Sequence, residues 1–492
     1  MNIKRAHRWI RCAAPLLALA AASAGAQTLQ PPSSGAAPPG GSMTLSMIQM
    51  PTGPQQPFAG IVPPQPATAS PIALTLADAI DRALTYNLGI LTREQQVESA
   101  RAGRWQALSG LLPTAVGHVV ETRQKVNLAA FGFDASAFPG VPTLVGPFNV
   151  FDARLSISQP VVNLSAVNDV RRANRELDSA TLESRNARDI VVLVTANAYL
   201  QTVAGSNRID AVRAQVETAQ ALFTQATDLE RAGLAPQIDV LRAQVELESQ
   251  RQRLISAEHD FQKLKLQLAR VIGLPVSQPF DLADKIPYAE TPVPTLDETV
   301  KRALDSRADY HAAMARVQAA EADRRSAVTE ALPSIVVNAD YGLIGPTAGD
   351  AQRTFTIVGA VRVPIFEGGR RQGRLVQTDA VLRERRAEAD DLRQRVESEV
   401  RAALLDVQAS QAQLRVARGI VELARTQLTQ AQDRFAAGVT NNLEVIQAQE
   451  VVATAADNQI ASLYAYNVAK VTLARAMGVA EETARTVLGG VR

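Results

Sequence analysis

The chain has 492 residues, with 51 Lys and Arg against 49 Asp and Glu, and one cysteine, Cys12. This near-neutral balance, without a basic cluster, argues against nucleic acid as a partner. A lone cysteine excludes an intrachain disulfide and a metal held by several thiolates.

Residues 1–26 have the layout of a secretory signal peptide. Lys4, Arg5, Arg8 and Arg11 form a basic start, Ala13 to Ala22 an apolar run, and Ala24-Gly25-Ala26 a small-residue cleavage site before Gln27. Ile10-Arg11 before Cys12 does not form a lipobox, so no lipidated N-terminus is expected. Residues 27–73 contain eleven Pro, five Gly and no charged residue, and read as an extended tether. Beyond the signal no stretch of 18 or more apolar residues occurs, so any membrane crossing must use a β-barrel rather than a helix.

From residue 74 one pattern occurs twice. Leu74-Thr-Leu-Ala-Asp-Ala-Ile-Asp-Arg-Ala-Leu84 returns as Pro294-Thr-Leu-Asp-Glu-Thr-Val-Lys-Arg-Ala-Leu304, shifted by 220, and Leu112-Pro113 returns as Leu332-Pro333. Gly233 to Gln244 returns as Gly438 to Gln449, shifted by 205, as Arg270-Val-Ile-Gly273 does in Arg475-Ala-Met-Gly478. The division is therefore a first repeat, 74–293, and a second, 294–492. Each reads as helix, strand, loop, strand, very long helix, tight turn, long helix.

In the first repeat, strands are predicted at about 114–128 and 149–160, and helices at about 161–232 and 237–273. Phe151, Ala153, Leu155 and Ile157 alternate with Asp152, Arg154, Ser156 and Ser158, the period of a half-buried or lipid-facing strand. The first strand, near Thr114 to Arg123, alternates poorly. The second repeat predicts strands at about 334–344 and 354–365 and helices at about 368–437 and 441–478. Ile335, Val337, Ala339, Tyr341 and Leu343 mark its first strand, and Phe355, Ile357, Val361 and Val363 its second. Of the two loops between paired strands, Ala129 to Pro147 is the longer, and the barrel rule places long loops outside the cell.

The helices carry a heptad seam. Val396, Val400, Ala403, Val407, Ser410, Leu414, Ala417, Val421, Ala424, Leu428, Ala431 and Phe435 are spaced four and three residues apart. Ile209, Val212, Val216, Ala219, Phe223 and Ala226 do the same in the first repeat. A helix over 368–437 would be roughly 105 Å long at about 1.5 Å per residue. Four strands cannot close a membrane barrel, and such helices cannot bury their stripes alone. A homotrimer would supply twelve strands and twelve helical segments, enough for both. The four histidines, His7, His118, His259 and His311, are scattered. No catalytic, cofactor or metal constellation is found, and no nucleotide motif, so no enzymatic activity is expected.

These residues together resemble the TolC family of outer membrane efflux proteins, the outer membrane factors. The resemblance covers nearly all of 74–480. Its carriers are the duplicated openings, the Leu-Pro stops, Gln159-Pro160, and Val363-Pro-Ile-Phe-Glu-Gly-Gly-Arg-Arg371 before the long helix. The most specific pair is Arg231-Ala-Gly233-Leu-x-x-x-Ile-Asp239-Val-Leu-x-Ala-Gln244 with Arg434-Phe-x-x-Gly438-Val-x-x-x-Leu-Glu444-Val-Ile-x-Ala-Gln449. The resemblance implies a mixed α and β membrane protein, a trimer whose helical coiled-coil tunnel in the periplasm continues into a twelve-stranded outer-membrane barrel. It implies a passive exit duct for a tripartite efflux or type I secretion system, served by a periplasmic adaptor and an inner-membrane pump and surrounded by outer-membrane lipid. A periplasmic coiled-coil adaptor or scaffold is the rival reading, separated from a duct by detergent dependence.

The resemblance also points to sites. The turns Gly233-Leu234 and Gly438-Val439 would form the tip that meets the adaptor. Glu444 matches the first of two acidic positions that ring the family's entrance, and Gln447 stands at the second. Phe435 and Thr440 occupy positions where family members can carry a tyrosine and an arginine that lock the tip. Asp239, the first-repeat counterpart of Glu444, reads as structural or intersubunit.

Overall fold

The computed structural model describes residues 70–132, 142–284 and 294–487, all within the unit Gln55–Arg492. The signal peptide, residues 27–69 of the tether, and residues 133–141 of the long loop lie outside the described residues.

A short strand, β1 (Ile72–Leu74), leads into α1 (Leu76–Tyr86), whose N-terminus carries a capping box between Thr75 and Asp78. Where one opening helix was predicted, there are two. Asn87 is extended, at φ −71° and ψ 126°, ends α1, and starts α2 (Leu88–Ser109) by accepting from the Gly89 amide at 2.8 Å. The second repeat breaks at the matching residue, Arg307, between α5 (Leu296–Ser306) and α6 (Ala308–Thr329).

The membrane-type strands are β2 (Thr114–Asn127) and β3 (Leu144–Val162) in the first repeat, with β5 (Ser334–Gly345) and β6 (Gln352–Arg362) in the second. They form one antiparallel sheet in the order β2-β3-β5-β6. β3 starts five residues before its predicted bound, because it pairs along the whole of β2, Asn127 opposite Leu144. β6 stops at Arg362, short of the predicted 365, before Pro364, which has no amide to give a ladder. A further pair was not legible: β4 (Phe280–Leu282) runs parallel to β1, Ile72 opposite Phe280.

The long helices are α3 (Leu164–Arg231), α4 (Gln237–Val271), α7 (Arg370–Ala436) and α8 (Asn442–Ala476), followed by a short α9 (Ala480–Val487). α3 begins after the predicted 161 because β3 continues to Val162 and Asn163 then caps the helix, accepting from Ala166 at 3.1 Å. α7 begins at Arg370 because Gly368 and Gly369 are both left-handed. With 67 residues it is about 100 Å long.

Every position of the α7 seam is buried except Leu428, which is half-buried. Ser410 sits in it with its hydroxyl satisfied, donating to the Asp406 carbonyl at 2.6 Å. Packing fixes a lateral order. Nearer the sheet, α2 lies on α3, α3 on α6 and α6 on α7; toward the turns, α4 lies on α3, α3 on α8 and α8 on α7. The outer members are thus α2 or α4 on one side and α7 on the other, as β2 and β6 are in the sheet.

Between these halves lies the largest core, where Leu74, Ile80, Ile90, Val191, Val192, Leu200, Leu268, Ile272 and Phe280 pack together. Tyr199 donates toward the Leu74 carbonyl and the Asp284 carboxylate, both at 3.0 Å, and burial pushes its phenol value up. Beside this core Arg307, 2% exposed, forks onto Asp309 at 2.6 and 3.0 Å and reaches Glu399 at 2.5 Å. Burial opposes the charge on Asp309, but the bonds and charge of Arg307, with Arg475 3.8 Å away, outweigh it and hold the carboxyl below its ordinary range.

That geometry sets a pH dependence. A depressed carboxyl stabilises the fold above its unfolded value, near 4, and the contribution disappears as pH falls through the folded one. Asp309→Asn leaves Arg307 buried with a poorer partner, a loss of about 3 kcal/mol for a broken buried pair. Thermal melts followed by helical ellipticity in detergent should show a lower midpoint for the variant at pH 7, with the gap to the parent narrowing at pH 3.

Candidate functional site

The two hairpin turns between long helices come together at one end of the protein. α3 ends at Arg231, and Gly233, at φ +70°, reverses the chain; its amide donates to Glu230 and that of Leu234 to Leu229, both at 2.8 Å. α7 ends in the same way. Gly438 also has φ +70°, with amides of Gly438 and Val439 donating to Phe435 and Arg434, both at 3.0 Å. This paired bonding is a Schellman closure, which needs a left-handed residue that glycine supplies without a Cβ clash. Leu234 and Val439, next along each turn, are largely exposed although apolar.

Behind the turns is a small apolar core of Leu222, Ala226, Ala243, Ala431, Phe435, Val445 and Ala448, drawn from all four helices. Phe435 fills it at 5% exposure. Its apolar ring is held by its neighbours, whereas a tyrosine hydroxyl would need a partner there. Asp239 is also buried. Its carboxylate accepts from Arg242 at 3.3 Å, and its carbonyl accepts from the Asn442 amide at 2.6 Å, which joins the first-repeat hairpin to the second.

Glu444 stands where Asp239 does in the first repeat, but its surroundings differ. The residue three further on is Gln447 rather than Arg242, so no cation sits on the same helix face. Instead Thr440 donates to the Glu444 carboxylate at 2.6 Å, and Arg434 approaches it at 3.5 Å. The Glu444 side chain is 39% exposed and that of Arg434 57% exposed, so their attraction is worth between about 0 and 1 kcal/mol. Burial of Phe435 is several times larger, and the tip is held by packing rather than by this ion pair. The carboxylate stays accessible, as does exposed Gln447.

Thus the structure brings Glu444, Thr440 and Gln447 to the accessible side of the tip and puts Phe435 and Asp239 inside it. Sequence reasoning assigned no role to Arg434 or to Asn442. Arg434 lies in the quoted motif, but only the fold carries it across the turn to Glu444; nothing in the sequence signals the cross-hairpin bond of Asn442.

At the opposite end, cross-strand partners sort the sheet into two faces. Ala115, Val119, Leu155, Ile157, Tyr341, Leu343, Phe355 and Ile357 share one face, and nearly all are exposed. Ser156, Ser158, Asn338, Asp340, Thr354 and Thr356 share the other. No described helix is long and apolar enough to cross a membrane; the exposed apolar sheet face is the surface suited to lipid.

Shortening Phe435 tests the balance of forces at the tip. Phe435→Ala should remove about 3–5 kcal/mol of packing and accelerate amide exchange in 222–243 and 431–448, whereas Thr440→Ala should leave exchange there nearly unchanged.

The description "Outer membrane efflux protein" matches residues 79–274 and 299–479, one stretch in each repeat. Among characterised proteins the chain is similar to the pyoverdine export outer membrane protein OpmQ of Pseudomonas putida. The two are 26% identical over 484 residues, covering 94% of this chain and 96% of that one. Among solved structures it resembles the outer membrane protein VceC of Vibrio cholerae, at 20% identity and a TM-score of 0.69 over 82% of this chain and 96% of that one. It also resembles the CmeC outer membrane channel of Campylobacter jejuni, at 18% identity and a TM-score of 0.71 over 86% and 92%. These likenesses carry the fold, and the match over both repeats carries the family: the chain belongs to the outer membrane efflux proteins.

Proposed function

We propose that this chain is the outer-membrane channel of a tripartite efflux assembly, three copies forming a passive duct from periplasm to exterior. The observation that carries this reading is the four-stranded sheet, apolar and exposed on one face, polar on the other, with β2 and β6 left as edges. In lipid an open edge leaves backbone groups unsatisfied, so the sheet must close on further copies. Three copies give twelve strands, with the apolar face toward lipid and the polar face toward a wet lumen.

The helices support the same closure. Edge helix α4 exposes Leu241, Val245, Ile255 and Leu266, and edge helix α7 exposes Leu405, Val416, Ile420 and Leu423. Their heights match. Counted from Gly233 and Gly438, Ile255 and Val416 both lie 22 residues from the turn, and Leu266 and Leu405 both lie 33. Docking α7 of one copy on α4 of the next is a head-to-tail contact, which closes into a ring when the rotation allows.

The roles of the tip residues follow from accessibility. The exposed turns Gly233-Leu234 and Gly438-Val439 offer the apolar contacts for a periplasmic adaptor, which couples the duct to an inner-membrane pump. Glu444, repeated three times, sets a ring of carboxylates at the entrance that attracts divalent cations, while Gln447 leaves that ring without a second acidic tier. Substrate choice belongs mainly to the pump.

A double variant Ile255→Cys/Val416→Cys, oxidised in native membranes, should run as a covalent trimer on a denaturing gel, while each single variant stays monomeric. Persistent monomer from the double variant would contradict the α4–α7 contact. In planar bilayers Glu444→Ala should lose block by divalent cations added on the tip side; unchanged block would remove Glu444 from the entrance.

A further inference from the structure

The polar face of the sheet carries one concentrated charge cluster. Arg154, near the middle of β3, donates through Nε to Asp152 on its own strand at 2.6 Å and through Nη1 to Asp340 on β5 at 2.8 Å. All three side chains are largely but incompletely covered, at 20% exposure for Arg154 and 27% for each carboxylate. The residue directly opposite Arg154 on β5 is Gly342. A Cβ at 342 would collide with the Arg154 Cβ and with the Ala153 carbonyl. The missing side chain is what lets the guanidinium lie across β5 and reach Asp340.

The rest of that row and its neighbours carry no compensating charge. The Arg154 row runs His118, Arg154, Gly342, Thr354; the next runs Val116, Ser156, Asp340, Thr356. Arg362 is on the same face, but its partner is Ser334, six residues along β5 from Asp340. That separation is roughly 20 Å at about 3.3 Å per residue, more than twice the screening length of about 8 Å at physiological salt. Two carboxylates against one guanidinium leave a net negative charge in each protomer at one level of the sheet.

We propose that the Asp152–Arg154–Asp340 cluster, repeated three times around the lumen, is a charge-selecting ring that favours cations over anions in the outer-membrane part of the duct. The proposal rests on the channel reading above, which turns this face toward the lumen. Charged side chains ringing a pore between low-dielectric walls act on passing ions more strongly than the same charges on an open surface. The guanidinium positions both carboxylates and partly offsets them, so the two kinds of residue have opposite effects on selectivity.

Reversal potentials of purified trimers in planar bilayers, recorded across a potassium chloride gradient, test this by sign. Asp340→Asn and Asp152→Asn should each lower the cation-to-anion permeability ratio by about twofold, and Arg154→Gln should raise it by a similar factor. Trimer on a gel confirms assembly for each variant. A second measurement uses the lone Cys12: in a Cys12→Ser background, Asp340→Cys provides one thiol. It should react with charged methanethiosulfonates, cationic and anionic reagents moving the ratio in opposite directions, while Ile357→Cys on the apolar face should not react. Reactive thiols and intact trimers with unmoved ratios overturn the charge ring and leave the channel reading standing. An unreactive Asp340→Cys with a reactive Ile357→Cys overturns both, since the faces would then be reversed.

Discussion

The backbone of a strand in lipid has no water to bond, and this one requirement organises the molecule. Among the described residues the sheet β2-β3-β5-β6 ends in two edges that no further strand covers. In the proposed channel, closure comes from further copies. Because α3 and α7 continue from the sheet region to the turns without interruption, the lateral order at the edges persists along the helices. A contact made between β6 of one copy and β2 of the next therefore continues as α7 against α2 and then against α4. In the proposed assembly barrel and tunnel close by one operation, which would cover the exposed apolar stripes on α4 and α7.

Within a protomer the forces rank clearly. A buried Val or Leu of the α7 seam contributes about 1.5–3 kcal/mol, and eleven of the twelve seam positions are buried. Many ion pairs on the helices are exposed contacts three or four residues apart, such as Arg395–Asp391 and Arg425–Glu422, worth a few tenths of a kcal/mol each. Arg307 is different because it is enclosed, and it sits where the second-repeat kink meets the end of α8. A Cβ on Gly478 would fall 2.9 Å from the Arg307 backbone, just as one on Gly273 would fall 2.7 Å from Tyr86 at the first-repeat kink. The same joint, a glycine turn seated against a broken helix, was built twice by the duplication. Its chemistry then diverged into a neutral Asn87 in one repeat and a forked Arg307 in the other.

The tip shows the same divergence on a smaller scale. Asp239 and Glu444 are equivalent in sequence, yet one is buried and paired on its own helix while the other faces solvent through Thr440 and Arg434. Motif matching saw both as acids in equivalent positions. The resemblance gave Glu444 the entrance and Asp239 a structural or intersubunit role, but not the physical reason, because exposure depends on how two hairpins pack, and a contact that joins them, Asn442 to the Asp239 carbonyl, links residues 203 apart. Phe435 was legible as a seam residue from its heptad position, and that is the role the fold gives it.

Sequence alone determined whatever depends on local period and local geometry. A two-residue period named three of the four strands of the larger sheet, a heptad named the long helices, and glycines at 233 and 438 named the reversals, since each is a property of neighbouring residues. Neither opening kink was legible: one helix was expected in each repeat, and only the fold shows the break at Asn87 and, 220 residues on, at Arg307. Tertiary structure decided the rest: that β1 pairs with β4 across more than 200 residues, that Gly342 makes room for Arg154 to reach Asp340, and which tip carboxylate stays open to solvent. These depend on which distant segments meet, and periodicity carries no information about the partner.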